Sequence, residues 1–188
     1  MVAKTVHTIM MTLQDVKPKV WRRIEVQSEI GLGELSPVLE EAMGWMGSHL
    51  HMYQIDGEFY SRHSPGFEPI GLDEAQARLG DVLPQVGMKI VWEYDLGDGW
   101  RHDLLLEGIN VKQRSAAYPR CLDGARACPP EDCGGPWGYR ELLAAVRDRS
   151  HPQHDELREW MPAGFDPGHF DAAETTARMQ APVRFDTW

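Results

Sequence analysis

The sequence predicts an α+β fold: a β-grasp (ubiquitin-like) mixed sheet crossed by one helix, with a C-terminal helical extension. Three observations lead there. Two strand-like segments, residues 6–13 and 20–26, flank a turn at 14–19 and precede one apolar helical repeat, Leu32, Leu35, Leu39, Ala42 and Met43. Two further pairs of strand-like segments follow that helix, and beyond residue 139 the spacing of apolar residues becomes helical.

Taken in order, residues 6–13 have the β-branched and apolar content of a strand, and in the second strand Ile24 and Val26 point inward. The pair Arg22 and Arg23 breaks strict alternation, which reads as solvated edge charges or a bulge. The helix is expected to stop at Gly44 in a left-handed cap, while Pro37 removes one intrahelical bond and either distorts the first turn or moves the start towards Ser36. A strand over residues 49–55 places His49, His51, Tyr53 and Ile55 on one face. Asp56-Gly57 then signals a tight hairpin, and residues 58–60 return. Residues 61–75, with Ser64-Pro65-Gly66, form a loop, and 81–83 make at most one helical turn. Residues 88–94 and 101–109 are two more strands, joined through Asp95-Leu-Gly-Asp-Gly-Trp100. Helices are expected over 139–148, 155–161 and 172–179, the last capped by Asp171, with a loose tail from Ala181. The chain is thus read as a single domain over residues 5–180: sheet and helix in 5–112, a Cys/Gly/Pro loop in 113–138, and helices in 139–180.

Composition narrows the function classes. No apolar run approaches the roughly 18 residues a membrane span needs, and the first residues lack the apolar core of a signal peptide, so a cytoplasmic protein is expected. In that reducing compartment the three cysteines are thiols or metal-bound thiolates. A net charge of −10 repels phosphate backbones, which disfavours nucleic acid as a partner.

All three cysteines lie in the stretch from Cys121 to Tyr139, among glycines and prolines that resist extension as helix or strand. Cys121, Cys128 and Cys133 with His102 have the donor types of a zinc site, although neither cysteine interval forms the tight Cys-x2-Cys knuckle. The alternative is three small apolar residues locking the turn under Trp137. Asp95, Asp98 and Asp103 gather near His102 and suit acid–base or metal chemistry, or simply a tight turn. Glu131-Asp132 is expected to cap the helix that follows. His49, His51, Tyr53, Trp100 and Trp137 could line a groove for a peptide or small ligand, or cover a core edge.

Several segments together resemble one family over most of the chain. They are Lys17-Pro-Lys-Val-Trp-Arg-Arg23, Ala42-Met-Gly-Trp45 with Ser48-His-Leu-His51, Glu93-Tyr-Asp-Leu-Gly-Asp-Gly-Trp-Arg-His102, and Ala127-Cys-Pro-Pro-Glu-Asp-Cys-Gly-Gly-Pro-Trp-Gly-Tyr139. On these the chain is similar to the plasmid pRi ORF-3-like family, whose members carry labels such as insertion-element passenger protein or resolvase. The resemblance implies an association with mobile elements and transfers no catalytic residue. Serine-resolvase chemistry needs a nucleophilic serine beside an arginine cluster on a basic surface, which this acidic chain does not offer. Two functions remain: a cytoplasmic binding or adaptor module with a protein or peptide partner, and a metal-dependent hydrolase or nuclease-like enzyme using the His/Asp cluster. The first predicts an exposed apolar patch beside residues 128–139.

Overall fold

Side-chain alternation organises the central hairpin. β1 (Thr5–Leu13) buries Ile9, Met11 and Leu13, and β2 (Trp21–Gln27) buries Ile24 and Val26, the two strands pairing antiparallel with Ile9 opposite Ile24. The structure, a computed structural model, describes residues 3–64, 66 and 68–182; Pro65 of the expected loop and the tail beyond 182 lie outside the described residues. The helix α1 (Leu32–Met43) carries its apolar repeat onto the sheet, with Leu32, Leu35, Leu39 and Ala42 fully buried. It ends as expected at Gly44, whose φ of 103° is left-handed and whose N–H bonds the Glu40 carbonyl. Pro37 lies within α1 and does not move its start, which is at Leu32.

Next come β3 (His51–Ile55) and β4 (Glu58–Ser61), joined by Asp56 and Gly57, both at positive φ as a tight hairpin requires. A two-residue strand, β5 (Leu72–Asp73), runs parallel to β4 at one edge; a 3-10 turn (Glu74–Gln76) and the short α2 (Leu79–Val82) follow. Then β6 (Lys89–Tyr94) and β7 (Trp100–Val111) form the third hairpin. Residues 120–125, read from sequence as loop, form β8 (Arg120–Ala125). The result is one eight-stranded sheet in the order β5-β4-β3-β6-β7-β1-β2-β8, antiparallel except at β4 and β5. The helices α3 (Gly135–Arg147), α4 (His154–Trp160) and α5 (Ala172–Met179) complete the chain, α5 packing on α1 and β8 and α3 on α4. The class is therefore α+β, with one helix across a mostly antiparallel sheet.

The arginine pair departs from expectation because β2 is an interior strand. Arg23 reaches Glu107 at 2.7 Å, whereas Arg22 is only 2% exposed and donates to the carbonyls of Trp21, Ala42 and Ala125. Three oxygens, one at the C-terminal end of α1, satisfy a charge that burial would otherwise penalise, and Phe170 covers the guanidinium at 4.8 Å. The register shift at Arg23/Ile24 between β2 and β8 marks the bulge that lets both arginines fit.

Candidate functional site

At one end of β6 and β7 the aromatic residues form a rigid floor. Trp45 stacks on Tyr94 at 4.7 Å and meets His102 edge-on at 5.3 Å, while Trp92 lies 5.0 Å from the same imidazole. Tyr94, Trp92, Trp100 and His102 are all fully buried. Above this floor the cysteine-bearing loop is fastened by four contacts. Trp45 Nε1 donates to the Pro129 carbonyl at 3.1 Å, Tyr94 Oη donates to Glu131 Oε1 at 2.7 Å, the Met46 N–H donates to the same carboxylate oxygen at 3.0 Å, and the Gly134 N–H donates to Asp98 Oδ2 at 3.1 Å. Burial raises the Tyr94 pKa and Glu131 raises it further, so the phenol stays protonated and donates.

This fastening brings together three residues from distant parts of the chain. His49 Nδ1 lies 3.6 Å from Asp95 Oδ2, and its Nε2 lies 3.3 Å from Asp132 Oδ1. Both aspartates sit at left-handed φ, 55° and 57°, which suits short carboxylates that bond locally. Asp95 Oδ1 accepts from the Gly97 and Asp98 N–H groups, leaving Oδ2 for His49. Ligand atoms of His49, Asp95 and Asp132 all lie within 4.8 Å of one another, a nitrogen and two oxygens in reach of a single divalent cation.

The expected zinc set is not gathered: among the described residues no group of three or more donors includes Cys121, Cys128, Cys133 or His102. Cys121 is on β8, its Sγ bonding the Asp123 carbonyl. His102 is walled in by Trp45 and Trp92, with neither ring nitrogen hydrogen-bonded, and burial lowers its pKa to about 3. Burial likewise raises the thiols, Cys128 well above its ordinary value and Cys133 to about 12, so all three cysteines are protonated near neutral pH.

The expected groove of His49, His51, Tyr53, Trp100 and Trp137 is also dispersed. Tyr53 and Trp100 belong to the core, and the Tyr53 hydroxyl is held by Ser36 and the Leu32 carbonyl. Trp137 does not cover the cysteines; it is 71% exposed on α3, with the Arg140 guanidinium 3.9 Å from its ring centre. Nor do Glu131 and Asp132 cap α3, whose N-cap is Gly134 with no side-chain bond. His51 finds different partners from His49, its Nε2 2.8 Å from Glu74 and its Nδ1 3.6 Å from Glu40. Burial by itself lowers the pKa of that imidazole, but the two carboxylates more than offset it and raise it to about 9.

Sequence reasoning missed the meeting of His49 with Asp132, since residues 49, 95 and 132 fell in three separately read segments. The model of the plasmid pRiA4b ORF-3-like protein family matches residues 5–174. The chain belongs to that family. One relative, the uncharacterized protein y4hQ of Sinorhizobium fredii, is 35% identical over 161 residues, 85% of this chain and 82% of its own. The crystal structure of a protein of unknown function, MM3350 from Methanosarcina mazei Go1, is similar with a TM-score of 0.83 and 28% identity, covering 92% of this chain and 98% of that one. The family match spans the sheet, the loop, α3 and α4 and ends in the first turn of α5, so the cysteine-bearing loop lies within the matched region. Among the described residues no helix of this family member is long and apolar enough to cross a membrane.

Proposed function

We propose that the chain is a non-enzymatic binding or adaptor module whose partner, a protein or peptide, docks where the cysteine-bearing loop meets residues 45–50. One observation carries this reading. Met46, Leu50 and Trp137 remain 79%, 68% and 71% exposed, on segments that the contacts of Met46 with Glu131, of His49 with Asp95 and Asp132, and of Gly134 with Asp98 bring beside four carboxylates. Large apolar side chains beside a cluster of carboxylates, on a rigidly fastened frame, suit a partner segment that offers a basic residue flanked by apolar ones. The hairpin, helix, hairpin order of the first half supports the β-grasp description of the platform. The plasmid in the family's name supports a partner encoded with mobile elements.

Selection of random peptides on the purified chain tests this proposal. The expected outcome is a consensus with a lysine or arginine between apolar residues, bound at least about 30-fold more weakly by Trp137→Ser, as befits an aromatic anchor worth about 2 kcal/mol. Absence of enrichment, or a consensus that Trp137→Ser and Leu50→Ser bind unchanged, contradicts it.

A second reading, a metal-dependent hydrolase or nuclease-like enzyme, is favoured by the His49, Asp95 and Asp132 donor set. Elemental analysis of protein purified without chelator, followed by calorimetric titration with Mn²⁺ and Zn²⁺, separates the two. The adaptor reading expects no saturable site tighter than about 1 mM, the weak end of biological divalent-ion affinity. The hydrolase reading expects near-equimolar binding that Asp132→Asn abolishes.

A further inference from the structure

The three C-terminal helices contain a second feature, separate from the loop junction. A cavity of about 480 Å³ opens between the end of α3, α4 and the turn at residues 161–165. Its charged lining is of one sign: Arg147, Arg149 and Arg158. The same stretch carries more acidic residues, Glu141, Asp148, Asp155, Glu156 and Glu159, yet none of these lines the cavity. Asp148 is turned onto the Ser150 N–H and hydroxyl at 2.9 and 2.7 Å. Among the described residues none of the three guanidiniums makes an ion pair or a side-chain hydrogen bond. On a chain of net charge −10 the overall field repels anions, so three uncompensated arginines around one hollow mark a local exception.

His154 gives an independent indication. It is only 8% exposed and lines the same cavity. Its Nδ1 bonds the Ala145 carbonyl at 2.9 Å, an oxygen that can only accept, so the Nδ1 carries the proton. Nε2 is left with no hydrogen-bond partner among the described residues. Among the described residues that nitrogen is not one of the fully buried, unpartnered side-chain atoms, so it opens to solvent and can bond a molecule that enters the cavity. The rest of the wall is apolar, with Met161 and Phe165 half-buried against the core.

We infer that this cavity is a binding site for a small phosphate-bearing organic molecule. Guanidiniums bind phosphate oxygens in two-pronged fashion, and three of them match a group with more than one negative charge. The His154 Nε2 would accept from a phosphate hydroxyl. The volume lies within the usual range for small-ligand sites, and Met161 and Phe165 would take the uncharged body of the molecule.

The test is titration of the isotope-labelled full chain, followed by amide chemical shifts, with inorganic pyrophosphate and with phenyl phosphate as two separate probes. Saturable shifts are expected within residues 146–165 for at least one probe, with affinity falling at least about tenfold in the Arg149→Gln/Arg158→Gln double variant, on the scale of one lost charge-assisted pair. Both arginines are exposed, so the variant keeps the wild-type fold, which its melting temperature and unshifted sheet resonances check. Tighter binding of phenyl phosphate shows that the apolar wall takes part; equal binding assigns the site to the phosphate group itself. No saturable shift in residues 146–165 with either probe, or equal affinity in the double variant, overturns the inference.

Discussion

Replacing Gly138 by alanine is expected to cost about 3 kcal/mol in urea unfolding, the upper end for steric overfilling, and to release the cysteine-bearing loop from the sheet. A Cβ built at Gly138 overlaps the carbonyl oxygen of Cys133 and lies 2.8 Å from its carbonyl carbon. Both are backbone atoms and cannot swing aside as the tip of a side chain would. The backbone next to Cys133 is already committed, because Gly134 and Gly135 follow at φ of 86° and 68° and the Gly134 N–H is bonded to Asp98. Relief must therefore come from shifting the loop or the first turn of α3, and either displaces Asp132 from His49. Gly138 itself does not lie at positive φ, so the penalty is one of space and not of backbone conformation. Gly87→Ala is the matching control: its Cβ would meet nothing within 4 Å, so it loses only the left-handed preference, about 1–2 kcal/mol. Peptide binding at the loop junction should be lost in Gly138→Ala and kept in the control.

Replacing Glu74 by alanine is expected to cost about 3–5 kcal/mol, the scale of breaking one side of a buried charge pair. Glu74 stands on the 3-10 turn with a side chain 3% exposed, facing His51 on β3 and the first turn of α1, where an added Cβ on Gly33 would sit 3.2 Å from its carboxylate. One carboxylate thus joins an edge segment to both helix and sheet, and its charge lies near the positive end of the α1 dipole. The same group sets a pH signature. In the folded chain the His51 pKa is raised to about 9, above the ordinary value of 6.5 that it regains on unfolding. The stabilisation is therefore complete below about pH 6.5 and is lost as pH rises towards 9. Unfolding free energies measured from pH 6 to 10 should decline through that window in the wild type and stay flat there in His51→Gln.

Much of the fold was legible because local rules and burial agree. The alternation in β1 and β2, the apolar repeat and glycine stop of α1, the Asp56-Gly57 turn and the Asp171 cap of α5 all lie where the residues place them. β8 was not legible, because its pairing with β2 across a register shift is a long-range event and the glycines and prolines after it dominate the local pattern. Arg22 read as an edge charge for the same reason: its acceptors Ala42 and Ala125 lie far away in sequence. Of the candidate site, the His49-x-His51 pair and the Asp95 turn were visible, but not that they divide. His51 turns to Glu40 and Glu74 while His49 meets Asp95 and Asp132, and only the folded loop shows which carboxylate each imidazole finds. The thiols attracted a metal reading through donor type; among the described residues they form no donor group with His102, which lies within the tryptophan floor.

The loop is clamped to the aromatic floor, and the bond from Tyr94 to Glu131 is where that clamp can be measured. A double-mutant cycle of Tyr94→Phe and Glu131→Gln, read by urea unfolding, tests it most directly. A coupling of about 1 kcal/mol or more is predicted, since the pair is a short charge-assisted bond at 2.7 Å between the sheet and the loop. Strictly additive effects, with no coupling beyond about 0.3 kcal/mol, would mean that the loop is not held there and would contradict the account.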